Sequence, residues 1–125
     1  MPVVLWVAQA LLAVLFTAAG AMKLVMSPDA MVPLMPWVVD FRPATIKAIG
    51  ALEVLGAVGL ILPRATNIAP ALTPAAAAGL AVIMAGGAVV HATRGEYPHG
   101  IGNITVFVVA ALTAWGTLRA LSPSS

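Results

Sequence analysis

One acidic residue lies where an ionised side chain is hardest to accommodate. Glu53 is in the middle of a long apolar run, about nine residues from either end. An isolated carboxylate within a bilayer costs several kcal/mol, so Glu53 must be protonated, paired or hydrated. Gly50 and Gly56 lie on the same helical face as Glu53, three residues to either side. We therefore expect Glu53 to face the interior of a bundle, where another helix or a ligand comes close.

Three more polar residues lie within apolar runs, each near the end of a different run. They are Lys23, His91 and Asn103. Because successive helices cross the membrane in opposite directions, all three residues lie toward the same membrane face, the one with the first and third loops. In a four-helix bundle they can converge around one site, with Glu53 at its deepest point. Such a site could transfer protons. Glu53 and His91 are the candidate catalytic acid and base, and Lys23 and Asn103 are candidates for binding substrate and stabilising charge.

Each of these residues also has a purely structural interpretation. Lys23 could be an anchor that extends to the lipid headgroups, and His91 and Asn103 could cap helix ends. Glu53 could be a protonated acid that holds helices together. A cavity shared by the four side chains would favour the functional interpretation over the structural one.

The composition excludes several classes of protein. Of the 125 residues, 62% are hydrophobic and 8% are charged, against about 25% charged in an average soluble domain. So few charges cannot cover a small soluble domain, which excludes a soluble enzyme, a nucleic-acid binder and a disordered chain. The chain has no cysteine, so it has no thiolate chemistry of its own. Only His91 and His99 offer imidazole ligands; we expect no metal site, and no cofactor is indicated.

The elements that must position the polar residues are four apolar runs, at residues of about 3–26, 44–62, 74–92 and 102–121. Each is roughly 19–24 residues long, enough to span about 30 Å of hydrocarbon as a helix. Pro63 is expected to close the second helix, and Thr73 to cap the third. The sequence predicts an all-α fold, with one domain over residues 1–125 that forms an integral membrane four-helix bundle with short loops.

The first loop, residues 31–39, is apolar, yet it is too short and too interrupted by proline to span a membrane. We expect it to lie in the interface or to fold back over the bundle, with Trp37 at the depth of the lipid headgroups. Two interpretations are open. The loop is either a lid over a cavity, which makes Trp37 a candidate ligand-binding residue, or a connector that lies on lipid.

Four segments in order resemble the DoxX-like family of small four-helix bacterial membrane proteins, over residues of roughly 5–119. They are FTAAGAMKL at 16–24, IGALEVLGAVGLILP at 49–63, GAVVH at 87–91, and the segment from Asn103 to Arg119. The resemblance implies a multi-pass protein of the bacterial plasma membrane. Some relatives are associated with membrane oxidoreductase assemblies or with thiosulfate oxidation feeding quinone, which implies a redox protein partner.

Three functions fit these features. The first is a membrane subunit or scaffold for a redox partner, with a pocket for a quinone or another lipid. The alternative is an intramembrane, isomerase-like enzyme that transfers protons on a hydrophobic substrate through Glu53 and His91. The third is a proton-coupled transporter, which four helices would support only as a homo-oligomer. We expect both termini on the cytoplasmic side. The first run lacks a basic start and is too long for a cleaved signal peptide.

Overall fold

The computed structural model describes residues 1–121, and nearly all of them lie in helices. The elements are α1 (Val3–Val25), α2 (Pro28–Met31), a 3₁₀ helix (Pro36–Asp40), α3 (Pro43–Thr66), α4 (Leu72–Thr93) and α5 (Tyr97–Ala120). The four long helices have 22 to 24 residues and are apolar enough to cross a membrane. At 1.5 Å per residue they extend roughly 33–36 Å. Residues 1–121 contain no strand, and the predicted all-α four-helix bundle is confirmed.

The long helices pack in the order α1, α3, α4 and α5. Neighbours in this order contact each other along much of their length, whereas α1 and α5 touch only sparsely where the ring closes. The core between them consists of Leu12, Phe16, Ala57, Leu60, Ala77, Leu80, Ala81 and Ala110. Large apolar residues such as Val14 and Leu55 point outward. Helices that are apolar on all sides are typical of membrane spans.

Helices α1 and α3 approach each other backbone to backbone at two glycines. A Cβ at Gly20 would lie 2.6 Å from the carbonyl oxygen of Gly50, and a Cβ at Gly50 would lie 2.8 Å from that of Gly20. Backbone atoms cannot move aside, so any larger residue would push the helices apart. Lys23 and Glu53 follow these glycines by one helical turn. The glycine contact therefore sets the distance between their side chains.

Helix α3 does not end at Pro63, as the sequence predicted, but continues to Thr66. Proline has no N–H to donate to the carbonyl four residues earlier, which is that of Gly59. Thr73 on α4 supplies the missing donor, because its hydroxyl donates to Gly59 O at 2.8 Å. The helix passes through the proline because a neighbouring helix satisfies the freed carbonyl.

Two other predictions about helix ends were wrong. Helix α4 begins at Leu72, so Thr73 lies inside the helix instead of capping it. Helix α5 begins at Tyr97, about five residues earlier than expected. Pro98 is in its first turn, where the missing N–H costs nothing. As a result, His99 is on a helix and not in a loop.

We expect Thr73→Val to destabilise the bundle by about 1–2 kcal/mol, because it leaves the Gly59 carbonyl buried without a donor. The free energy of unfolding in mixed detergent micelles measures this. Thr105→Val is the matched control, because the Thr105 hydroxyl is exposed and donates to its own helix at Ile101 O. Equal stability of the two variants would contradict the assigned role of Thr73.

Candidate functional site

A buried ion pair joins α1 to α3. Lys23 Nζ lies 2.8 Å from Glu53 Oε1, and the two side chains are only 7% and 2% exposed. Nζ also donates to the carbonyl oxygen of Ala19 at 3.4 Å. Glu53 therefore faces the interior of the bundle, and its charged partner comes from a different helix.

The ion pair is also close enough for a charge-assisted hydrogen bond, since Lys23 Nζ and Glu53 Oε1 are 2.8 Å apart. A carboxylate has more acceptor sites than this one contact uses. A bound polar group or a water molecule could donate to the remaining sites.

A cavity of about 620 Å³ lies beside the ion pair. Most of its lining side chains are apolar, such as Phe16 and Met84. Its polar lining residues are Lys23, Glu53, His91, His99 and Asn103. The four polar residues that stand out in the sequence thus line one cavity, although they come from four different helices.

The first loop covers this cavity. Its two short helices pack on the start of α3 through a buried cluster of Met31, Val38 and Ile46. Trp37 lines the cavity, with its ring centroid 5.9 Å from Lys23 Nζ. Phe41 packs edge-on against Trp37 at 5.5 Å between ring centroids. Of the two interpretations of the loop, this placement supports a lid, and the segment of residues 27–41 is called the lid below.

His91 bonds to Glu96 and not to Glu53. Its Nδ1 lies 2.9 Å from Glu96 Oε1, and its ring stacks on that of His99 with centroids 5.3 Å apart. The hydrogen bond from His91, and then that from Arg94, hold the pKa of Glu96 below its usual value. Glu96, which lies in the loop that joins α4 to α5, is therefore a carboxylate at neutral pH.

Arg94 connects this loop to the lid. One of its guanidinium nitrogens, Nη1, lies 2.6 Å from Asp40 Oδ2, and Nε lies 3.3 Å from Glu96 Oε2. Asp40 is the last residue of the 3₁₀ helix. Partly exposed ion pairs of this kind contribute little to stability. The contact therefore adds one weak link between the lid and the loop that joins α4 to α5.

Asn103 reaches the cavity where α5 packs on α4. Its amide nitrogen occupies the position that a Cβ on Gly87 would take. Any larger residue at position 87 would therefore displace this amide. The glycine on α4 thus makes room for the polar group on α5.

The sequence does not indicate the roles that three polar residues have in the structure: His99, Gln9 and Thr73. The fourth apolar run begins at about residue 102, which leaves His99 outside it, although Pro98 beside His99 is typical of a first helical turn. Gln9 Nε2 donates to Leu60 O at 2.6 Å, and Thr73 bonds the same helix. No spacing in the sequence relates these donors to their carbonyls, because the pairing depends on how α1 and α4 pack against α3.

Residues 1–121 contain no group of three or more His, Asp or Glu side chains that could hold a metal ion. The two histidines of the cavity instead stack face to face, with their planes 24° apart. This pair presents ring nitrogens and an aromatic surface to a ligand.

Four apolar helices around a buried ion pair define a small multi-pass integral membrane protein. Within this class of membrane proteins, the chain can also be assigned to a family. The family model described as the DoxX-like family matches residues 7–113, and the chain belongs to that family. No curated protein and no solved structure matches the chain.

Removing either partner of the ion pair should destabilise the protein. Glu53→Leu leaves Lys23 as a buried, unpaired charge, which we expect to cost about 3 kcal/mol or more. Glu53→Gln should cost less, because the amide oxygen can still accept from the ammonium. The double variant Lys23→Met/Glu53→Leu should recover most of the loss, because no buried charge remains. Unfolding free energies in mixed micelles would form a double-mutant cycle, and additive losses would contradict the pairing.

Weakening the contact between Arg94 and Asp40 should expose the cavity. Because the chain has no cysteine, a single Met84→Cys substitution reports access to the cavity lining through its rate of reaction with a water-soluble thiol reagent. We expect Arg94→Gln to raise that rate about two- to fivefold, because a weak contact that links the lid to the rest of the protein is lost. Arg42→Gln is the control, because Arg42 is exposed and has no ion pair among the residues described. Equal rates in the two variants would show that Arg94 does not hold the lid.

Proposed function

We propose that the protein is a membrane subunit whose cavity binds a hydrophobic ligand with a polar head group, of the quinone or lipid class. The observation that carries this proposal is the buried pair of Lys23 and Glu53 on the wall of a cavity of about 620 Å³. If the pair only held helices together, tight packing around it would serve best. The open volume beside it, and the acceptor sites of the carboxylate that this one contact leaves unused, support a binding role.

The size and lining of the cavity support a small-molecule ligand. Ligand sites in proteins typically measure about 300–1,000 Å³ and combine apolar walls with a few polar groups. Here the polar groups cluster on one side, around Lys23 and His91, and apolar residues such as Phe16 and Ile83 form the rest. A molecule with one polar end and an apolar body matches this division.

The sparse contact between α1 and α5 offers the ligand a lateral path from the bilayer. A second cavity, of about 340 Å³, runs between these helices and is lined almost entirely by apolar residues. Leu15 and Val106 line both cavities, so the two adjoin at these residues. A ligand dissolved in the membrane could pass between α1 and α5 without crossing water.

In this proposal the protein acts with a redox protein partner in the bacterial plasma membrane. The redox partner is inferred from the family resemblance, because some relatives are associated with membrane oxidoreductase assemblies. The chain has no cysteine, so any thiol chemistry would come from a partner. Both termini are placed in the cytoplasm. The face that carries them has Arg64 and Arg119 and no acidic residue. By the count of Lys and Arg alone the opposite face is the more positive, so this orientation rests on the absence of acidic residues and on the family resemblance.

The second candidate is an intramembrane enzyme that transfers protons on a hydrophobic substrate. Glu53 and His91 line the same cavity, and His91 has the carboxylate partner that orients many catalytic histidines. An altered, isomerised product after incubation with membrane lipids would favour the enzyme. A ligand that is recovered unchanged would favour the subunit.

The test of the proposal is mass spectrometry of the protein purified in mild detergent. We expect a hydrophobic small molecule in stoichiometric amount, together with a co-purifying oxidoreductase subunit. A protein that purifies without any such molecule, and whose cavity takes up none from added membrane extract, would overturn the binding role. Recovery of the ligand without a protein partner would overturn the redox association alone.

Filling the path between α1 and α5 should reduce ligand recovery. We expect Val106→Trp to lower the amount of co-purified ligand about tenfold, equivalent to roughly 1.4 kcal/mol, because the indole would occupy the junction of the two cavities. Leu112→Trp is the matched control on the same helix, since Leu112 is 58% exposed and lines neither cavity. Similar ligand recovery in both variants would exclude this path.

A further inference from the structure

His91 has one ring nitrogen engaged and one free. Nδ1 is 2.9 Å from Glu96 Oε1. An ionised carboxylate can only accept hydrogen bonds, so Nδ1 must carry the proton. In the neutral ring, Nε2 then holds a lone pair and can only accept. Nε2 has no hydrogen-bond partner among residues 1–121, and the ring lines the cavity.

The surroundings of His91 preserve this arrangement. Arg94 donates to Oε2, the second carboxylate oxygen of Glu96. Asp40 of the lid contacts Arg94 and not His91 or Glu96. His99 of α5 contacts the ring by stacking and not by a hydrogen bond. Lys23 and Glu53 line the same cavity but are paired with each other. None of these groups donates a hydrogen bond to Nε2.

Nε2 thus receives no hydrogen bond from residues 1–121, and a ligand can provide one. Lys23 and Asn103 already offer donors to any carbonyl or ether oxygen of a ligand. A ligand with oxygen acceptors alone would leave the lone pair of Nε2 unpaired after water is expelled, which is unfavourable. A hydroxyl group satisfies both kinds of partner, because it donates and accepts.

We propose that Glu96 is a positioning residue that fixes the tautomer of His91, and that the cavity ligand is an amphiphile whose head carries a hydroxyl group donating to His91 Nε2. This assignment rests on the proposed ligand-binding function and specifies the head group. It places selectivity for the ligand in the loop between α4 and α5, outside the cavity wall itself.

The tautomer can be tested without any ligand, by ¹⁵N nuclear magnetic resonance of histidine-labelled protein in detergent at neutral pH. His99→Phe leaves only the signal of His91 and so assigns it. We expect the neutral ring of the wild type to be protonated at Nδ1, and Glu96→Gln to give a mixture of tautomers, because an amide can donate or accept. Asp29→Asn, which removes an exposed acid outside this group, should leave the spectrum unchanged. Protonation at Nε2 in the wild type would overturn the assignment.

The ligand class can be tested with a matched pair of probes, para-dodecylphenol and its methyl ether, in which a methyl group replaces the hydroxyl proton, so the ether can accept but not donate a hydrogen bond. We expect the wild type to bind the phenol about five- to tenfold more tightly, as one hydrogen bond implies. Glu96→Gln should reduce this ratio to about twofold or less. Asp40→Asn loosens the lid without touching His91, so it should weaken both probes alike and keep the ratio.

The possible results separate the two proposals. Equal binding of both probes to the wild type would overturn the hydroxyl assignment and leave the binding function standing. Binding of neither probe would overturn both. A ratio in Glu96→Gln that equals the wild-type ratio would show that the tautomer set by Glu96 does not determine selectivity.

Discussion

The attraction between Lys23 and Glu53 is the interaction on which the rest of the structure depends. Either charge alone inside the bundle would be expensive, so the two side chains must stay in contact. Contact requires α1 and α3 to approach until their backbones nearly touch, which is possible only because Gly20 and Gly50 have no side chains. With these two helices held together, α4 and α5 complete the bundle on the other side, and the cavity remains between the two halves.

The same arrangement makes the interior of the bundle polar at one end and apolar at the other. Polar side chains gather under the lid, around the ion pair and the two histidines, while the second cavity, between α1 and α5, is lined almost entirely by apolar residues. A lipid-like molecule has the same division between head and tail. The interior of the bundle is therefore arranged like one leaflet of a bilayer, with a polar end for a head group and an apolar end for a tail.

Most of the fold follows from the sequence because four long apolar runs leave few alternatives to a helical bundle. The interior position of Glu53 was also predictable, since its depth and its flanking glycines point the same way. The end of α3 was not predictable from Pro63 alone, because the helix continues only when Thr73 of another helix reaches Gly59. The bond between His91 and Glu96 depends on the shape of a tight loop, and the spacing of five residues does not reveal it. What the sequence shows least well is the pairing of side chains across helices that packing brings together.

The ion pair of the lid is more exposed to water than the ion pair that joins α1 to α3. The contact between Arg94 and Asp40 is 25% and 52% exposed on its two side chains, whereas that between Lys23 and Glu53 is almost sealed from solvent. Dissolved salt weakens the attraction between exposed charges, with a Debye length of about 10 Å at 0.1 M, and has much less effect on buried pairs. Raising the ionic strength therefore weakens the contact between the lid and the loop that joins α4 to α5, while the pair that holds α1 to α3 keeps its strength.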